Sequence, residues 1–75
     1  MRAENMAPRS ETLTQRQRDV VYLLASGSTM KQAGAVLGIK ARTIAFHKYR
    51  VMRRLHLQTN TDFIRFAIKE GIVRG

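Results

Sequence analysis

The sequence has no cysteine among its 75 residues and no long apolar run. Without cysteine it forms no disulfide and offers no thiolate ligand to a metal. Its apolar runs are a few residues long, far below the roughly 20 that span a bilayer. Residues 1–12 also lack the apolar stretch of a signal peptide. The sequence therefore predicts a cytoplasmic protein with no membrane partner.

Groups for catalysis are missing as well. The histidines His47 and His56 and the few acidic residues lack the spacing of a nucleophile and its base or of a metal site. There is no glycine-rich loop of the kind that holds a nucleotide phosphate. The sequence therefore predicts no enzyme activity, no cofactor, no metal and no small-molecule ligand.

Acidic residues are scarce: 5 Asp and Glu stand against 14 Lys and Arg, which gives a net charge of +9. Residues 1–12 are neutral overall, so the excess lies in the rest of the chain. Residues 40–54 contain no acid and six basic residues, namely Lys40, Arg42, Lys48, Arg50, Arg53 and Arg54. Because neutralising phosphates releases condensed counterions, this segment favours a nucleic acid partner over the alternative of a solvated basic face.

The chain is predicted to hold one folded domain over residues 13–75. Residues 1–12 have no periodicity and carry the only proline, Pro8, which indicates a flexible tail or linker. Thr14 and Gln17 form a capping box at the start of a first helix. A second, shorter helix over residues 30–37 follows after a glycine stop and ends at a second glycine.

The third and fourth helices are predicted from apolar spacing. Residues 41–56 form the third helix, whose core stripe places Phe46 and Tyr49 on its outer side. The fourth helix begins after Thr59, which forms a cap-like pair with Asp62. Its apolar arc covers roughly 200° of the helical wheel, more than one small core needs. The surplus edge faces either a partner subunit or the C-terminal pair Ile72-Val73.

The predicted core draws on three of these helices, through Val20, Leu23, Leu24, Ile44, Val51, Leu55, Phe63 and Phe66. Val21 is predicted to lie at the edge of the core face of the first helix.

Two helices joined by a short glycine-containing turn, the second one basic, form the helix-turn-helix pattern. The second helix of such a pair enters the major groove of duplex DNA. Ala45, Phe46 and Tyr49 lie on its outer side within the first two turns, so they are predicted to read base edges. Phosphate contacts are predicted for Lys48, Arg50 and Arg53.

The chain from Leu13 to about Val73 resembles the LuxR/FixJ-type DNA-binding domain of bacterial transcription regulators. The resemblance rests on the order and spacing of Leu13-Thr14, Arg16, Leu23-Leu24-Ala25, Gly27, Lys31, Leu37-Gly38-Ile39, Thr43-Ile44, His47, Met52 and Arg54-Leu55. It implies an all-α, four-helix bundle-like domain with the helix-turn-helix in helices 2 and 3. It also implies double-stranded DNA as the partner and a homodimer formed on DNA through helix 4.

The resemblance extends to individual residues. It implies that Lys31, Thr43, His47 and Arg54 face the DNA backbone or support the site, although a structural hydrogen bond fits His47 equally well. The dimer interface is expected at Ile64, Arg65 and Ile68. RNA polymerase is a further candidate partner. The chain is either a stand-alone regulator or the output domain of a response regulator.

Three departures from the family pattern stand out. Lys40 replaces a serine that caps the recognition helix, which removes that cap. Ala33-Gly34 replaces isoleucine and alanine, so looser packing of the second helix is expected. His56 replaces a glycine at the end of the third helix.

Two other readings remain open. One is the promoter-binding domain of a sigma factor, although that class normally ends soon after the basic helix. The other is a basic RNA-binding or ribosome-associated protein, in which Phe46 and Tyr49 stack unpaired bases.

Overall fold

The computed structural model describes residues 12–74, so the predicted tail lies, except for Thr12, outside the described residues. The described chain is all-helical and has no strand. Its four helices are α1 (Gln15–Ala25), α2 (Met30–Leu37), α3 (Ala41–Arg54) and α4 (Asn60–Lys69). The predicted all-α fold with its helix-turn-helix in α2 and α3 is confirmed. Within this range, none of the helices has the length and apolar character needed to cross a bilayer.

Three of the four helices begin with a complete capping box. In each, a threonine hydroxyl accepts the backbone N–H three residues on, and the side chain at that position accepts the threonine N–H. The pairs are Thr14–Gln17, Thr29–Gln32 and Thr59–Asp62. The first and third pairs were predicted. For the second helix Ser28 and Thr29 were both candidate caps, and the structure shows Thr29, paired with Gln32.

The recognition helix α3 is two residues shorter than predicted. It ends at Arg54, because the N–H of Leu57 donates to the carbonyl of Met52 at 2.8 Å and closes the last turn. This closure holds His56 at a φ of 58°, in the left-handed region that favours glycine. The α2 helix ends in the ordinary way, on Gly38 with a φ of 71°.

The interior consists of two apolar clusters that meet at α1. The larger joins α1, α3 and α4 through Leu13, Val21, Val51, Leu55, Phe63, Phe66 and Ala67. The smaller joins α1, α2 and α3 through Val20, Ala33 and Ile44. The prediction that Val21 lies at the edge of the core is wrong: it is completely buried. Adjacent residues of α1 serve different clusters because α1 packs against all three other helices.

The C-terminal residues cover one side of α4. Ile72 and Val73 pack against the larger cluster, and their N–H groups donate to the carbonyl of Ala67 at 2.9 and 3.3 Å. Of the two alternatives for the surplus apolar edge of helix 4, the structure therefore shows the C-terminal pair packed against part of it. Ile68 stays outside this contact and is 41% exposed.

The contact between α2 and the start of α3 is close. The N–H of Ile39 donates to the carbonyl of Gly34 at 3.0 Å. A Cβ atom placed on Gly34 would lie 2.5 Å from the Ile39 carbonyl oxygen, and Ala33 beside it is completely buried. The expected loosening of α2 is therefore wrong, because the small side chains let the backbones approach.

Candidate nucleic-acid interface

The outer side of α3 carries a ridge of alternating aromatic and basic side chains. Arg42, Phe46, Tyr49 and Arg53 follow one another at intervals of four, three and four residues. At 100° per residue they fall within about 60° of one another. All four are exposed, and Phe46 and Tyr49 keep 57% and 56% of their surface accessible. Since large apolar surfaces are normally buried, two adjacent exposed aromatics indicate a binding surface.

The predicted base-reading residues lie together on this ridge. Phe46 and Tyr49 are exposed as expected, while Ala45 beside them is half-buried. The guanidinium carbon of Arg50 lies 5.5 Å from the centroid of the Phe46 ring, and the His47 ring meets the same ring edge-on at 5.8 Å. The Phe46 ring is therefore held between a cation and an imidazole, which limits its freedom.

The residues predicted to contact phosphate lie in different environments. Lys31, Arg50, Arg53 and Arg54 are exposed, whereas Thr43 and His47 are half-buried. Arg54 donates from Nη1 to the carbonyl of Thr12 at 3.1 Å. Near the end of α3, three of the arginines and one glutamine line a recess of about 240 Å³, namely Gln17, Arg50, Arg53 and Arg54.

Lys48 differs from the other predicted phosphate ligands. Its side chain is half-buried, and Nζ donates to Oδ1 of Asn60 at 3.1 Å. The ammonium thus lies against the first turn of α4. Nothing in the sequence indicates this contact, because it joins two helices that are separate in the chain.

Arg42 is the residue that the sequence analysis assigned to no face. It was counted only as part of the basic segment, yet it lies in the first turn of α3 on the same ridge as Tyr49. The helical-wheel arithmetic that placed Phe46 outside was sufficient to find it, since the two are four residues apart.

The helices α2 and α3 contain no acidic residue. In residues 12–74 the acids are Asp19, Asp62 and Glu70, which lie on α1, on α4 and just after α4. The pKa of Asp62 is lowered, chiefly because its carboxylate accepts the N–H of Gln58 and, next, that of Thr59; partial desolvation opposes this shift. Over the same range, no three His, Asp or Glu side chains come together as a metal site. The Lys and Arg side chains of α3 therefore have no acidic partner within their own helix.

A short turn after α2 followed by an exposed basic helix defines a helix-turn-helix DNA-binding domain. The family model of the luxR family of bacterial regulatory proteins matches residues 11–67. The chain therefore belongs to the luxR family of bacterial regulatory proteins.

Several curated proteins are similar to the chain. Transcriptional regulatory protein MctR of Rhizobium johnstonii is 33% identical over 70 residues, which cover 93% of this chain and 33% of that protein. Nodulation protein W of Bradyrhizobium diazoefficiens is 32% identical over 68 residues, or 91% and 30% of the two chains. Transcriptional regulatory protein UhpA of Escherichia coli is 32% identical over 57 residues, which cover 76% of this chain and 29% of that protein.

The chain spans about a third of the length of these relatives. No solved structure gives a significant match.

Proposed function

We propose that the chain binds duplex DNA in a sequence-specific manner, as a dimer, with α3 in the major groove. The observation that carries this proposal is the exposed ridge of α3, where Phe46 and Tyr49 lie between Arg42 and Arg53 on a helix without acidic residues. An α-helix fits the major groove, and cationic side chains at its rim neutralise phosphates. The proposed role is binding and regulation in the bacterial cytoplasm, where the DNA is, with no catalysis.

Base reading falls to Ala45, Phe46 and Tyr49. The Tyr49 hydroxyl donates to or accepts from a base edge, and the apolar groups of Ala45 and Phe46 suit the methyl group of thymine. Arg42, on the same ridge, adds a guanidinium within reach of the groove or its rim. The cation and imidazole that hold the Phe46 ring support this role, since a base-reading group needs a fixed direction.

Phosphate contacts fix the register of the helix without reading sequence. The proposed contacts are Lys31, Thr43, His47, Arg50, Arg53 and Arg54. In a plot of the logarithm of the binding constant against the logarithm of the salt concentration, each neutralised phosphate makes the slope steeper by about 0.9. Binding is therefore expected to weaken strongly as salt is raised.

The dimer is proposed to form through α4, with Ile64, Arg65 and Ile68 at the contact. Ile68 is a large apolar side chain that remains 41% exposed, and Arg65, one turn earlier on α4, is exposed as well. The C-terminal residues already cover the other side of α4. The names of the relatives, several of them transcriptional regulatory proteins, support a regulatory role. RNA polymerase is proposed as a further partner of such a regulator.

The proposal is tested by selecting bound duplexes from a random DNA pool at near-physiological salt. We expect an inverted repeat whose half-sites lie about one helical turn apart. Enrichment of a promoter-like sequence without symmetry would favour the sigma-factor reading. Binding without enrichment, together with tighter binding of single-stranded RNA, would favour the RNA-binding reading and contradict the proposal.

Two substitutions then test the roles of the ridge. Tyr49→Ala should relax the preference at one base pair, by roughly 1–3 kcal/mol. Arg53→Ala should weaken specific and random duplexes alike and reduce the salt slope by about 1. The opposite pattern, with preference altered by Arg53→Ala alone, would show that the two roles are wrongly assigned.

A further inference from the structure

Lys48 lies on a different side of α3 from the DNA-facing ridge. At 100° per residue it is about 160° from Phe46 around the helix. Its side chain is half-buried, whereas the arginines of the ridge are exposed. A lysine placed in this direction reaches a phosphate only if its side chain leaves its present contacts.

Three contacts hold the Lys48 ammonium. Nζ donates to Oδ1 of Asn60 at 3.1 Å. It also lies 5.3 Å from the ring centroid of Phe63 and 5.7 Å from that of Tyr49. A cation within about 6 Å of an aromatic ring is attracted by the negative face of the ring. Lys48 is therefore held by a hydrogen bond and by two rings at once.

The two rings belong to different parts of the molecule. Phe63 is 1% exposed and belongs to the larger apolar cluster, so α4 is fixed at that point. Tyr49 is more than half exposed and belongs to the ridge. The side chains of α4 meet those of α1 and α3 in the larger apolar cluster, whereas Lys48 reaches α4 from outside that cluster. Lys48 thus joins an exposed ring of the recognition helix to a buried ring of α4.

We propose that Lys48 is a positioning residue, which fixes Tyr49 and α4 relative to each other, and not a phosphate ligand. This inference rests on the proposed function, in which Tyr49 reads a base and α4 forms the dimer. Through Lys48, the direction of the Tyr49 ring depends on the position of α4. Base preference at the Tyr49 position and preference for the spacing of the half-sites are therefore coupled.

The test compares Lys48→Met with Arg53→Met as a matched control. Both variants lose one positive charge and keep an unbranched side chain. Each is titrated with the selected duplex and with a random duplex over a series of salt concentrations. We expect Lys48→Met to leave the salt slope of binding unchanged, whereas Arg53→Met reduces it by about 0.9, the value for one lost phosphate contact.

The second readout is specificity. We expect Lys48→Met to reduce several-fold the discrimination at the base pair identified by Tyr49→Ala, and to broaden the range of half-site spacings that are bound. Asn60→Ala should reproduce both effects in weaker form, because the rings still hold the ammonium. Lys48→Arg keeps a positive charge at this position, so its base discrimination and its half-site spacing preference should lie between those of Lys48→Met and the wild type. The melting temperature of each variant shows that the fold is kept.

A salt slope reduced by about 0.9 in Lys48→Met, with base preference intact, would make Lys48 a phosphate ligand and overturn the inference. Unchanged slope and unchanged preference would overturn it too, since Lys48 would then have no part in binding. If the wild-type protein selects no sequence, the proposed function fails. The salt slope on random duplex then still decides whether Lys48 contacts phosphate.

Discussion

The start of α3 differs from the starts of α1, α2 and α4. Each of the other three has a threonine at the N-cap, and its hydroxyl accepts a backbone N–H of the first turn. In α3 the N-cap is Lys40, whose side chain makes no capping hydrogen bond. The first N–H groups of α3 therefore receive no side-chain oxygen from the N-cap residue.

Close backbone packing fixes the start of α3 instead. The turn before α3 lies against Gly34, with its Ile39 carbonyl oxygen 2.5 Å from where a Cβ atom would stand. The helix is thus anchored by its neighbour α2, while α1, α2 and α4 are anchored by their own caps.

The comparison shows where stability is given up for binding. An absent cap costs typically about 1 kcal/mol. What replaces it at α3 is a positive side chain beside the positive end of the helix dipole, and this arrangement disfavours the free protein and favours an anion. The helix proposed to meet DNA is therefore the one that starts least favourably when DNA is absent.

The largest effect is expected when the packing at Gly34 is broken. Gly34→Val places carbon atoms where the Ile39 carbonyl oxygen stands, so the turn must move. We expect a loss of about 2 to 3 kcal/mol in the free energy of unfolding, as for other overpacked sites. Urea denaturation measures it, with Ala35→Val on the exposed side of α2 as the control. Equal losses in the two variants would show that only helix propensity is affected.

The next largest effect is a difference in stability cost between substitutions at a capped and at an uncapped helix start. Thr29→Ala removes the hydroxyl that accepts the N–H of Gln32 at 3.0 Å, and should cost about 1 kcal/mol. Lys40→Ala removes no capping bond and should leave the free energy of unfolding nearly unchanged. Urea denaturation of both variants measures these changes in the free energy of unfolding. A cost for Lys40→Ala as large as that for Thr29→Ala would contradict the contrast between these helix starts.

A cap can also be restored. Lys40→Ser supplies a hydroxyl to the first turn of α3 and should raise the free energy of unfolding by about 0.5 to 1 kcal/mol. It also removes a positive charge at the proposed interface, so binding to any duplex should weaken. Thermal denaturation and DNA titration are needed together. A variant that gains stability and binds DNA as tightly as before would refute the exchange of stability for binding.

The smallest expected effect is a pH dependence of the free energy of unfolding that only the capping box of α4 contributes. The boxes of α1 and α2 use Gln17 and Gln32, which do not titrate, whereas that of α4 uses Asp62. Because the pKa of Asp62 is lowered in the folded protein, its contribution is fully present above about pH 3.9, the ordinary value. It is lost as the pH falls through the lowered value.

As the pH is lowered through this range, the free energy of unfolding of the wild type should fall. It should fall less in Asp62→Asn, since asparagine accepts the same N–H groups without titrating. Identical pH profiles for the two proteins would show that Asp62 contributes nothing through its charge.

Much of the fold could be predicted because its signals are local. The Thr14–Gln17 and Thr59–Asp62 boxes each span four residues, and Gly38 marks the end of α2 through a backbone conformation that glycine favours. The outward direction of Phe46 and Tyr49 followed from helical periodicity alone. Their role in base reading remains a prediction.

What could not be predicted depends on how helices pack. Val21 and Val20 are neighbours in sequence, and only the position of α1 between two clusters explains why both are buried. The bond from Lys48 to Asn60 joins residues 12 apart on different helices. The length of α3 was overestimated because nothing in the apolar pattern marks His56 as left-handed.

The central claim is that DNA meets the outer ridge of α3. The most direct test is to follow the backbone amide signals of the protein by NMR while the selected duplex is added. We expect the largest shifts at Arg42, Phe46 and Tyr49. Shifts concentrated instead at Tyr22 and Val36, the exposed apolar residues of α1 and α2, would contradict it and place the interface on another face of the domain.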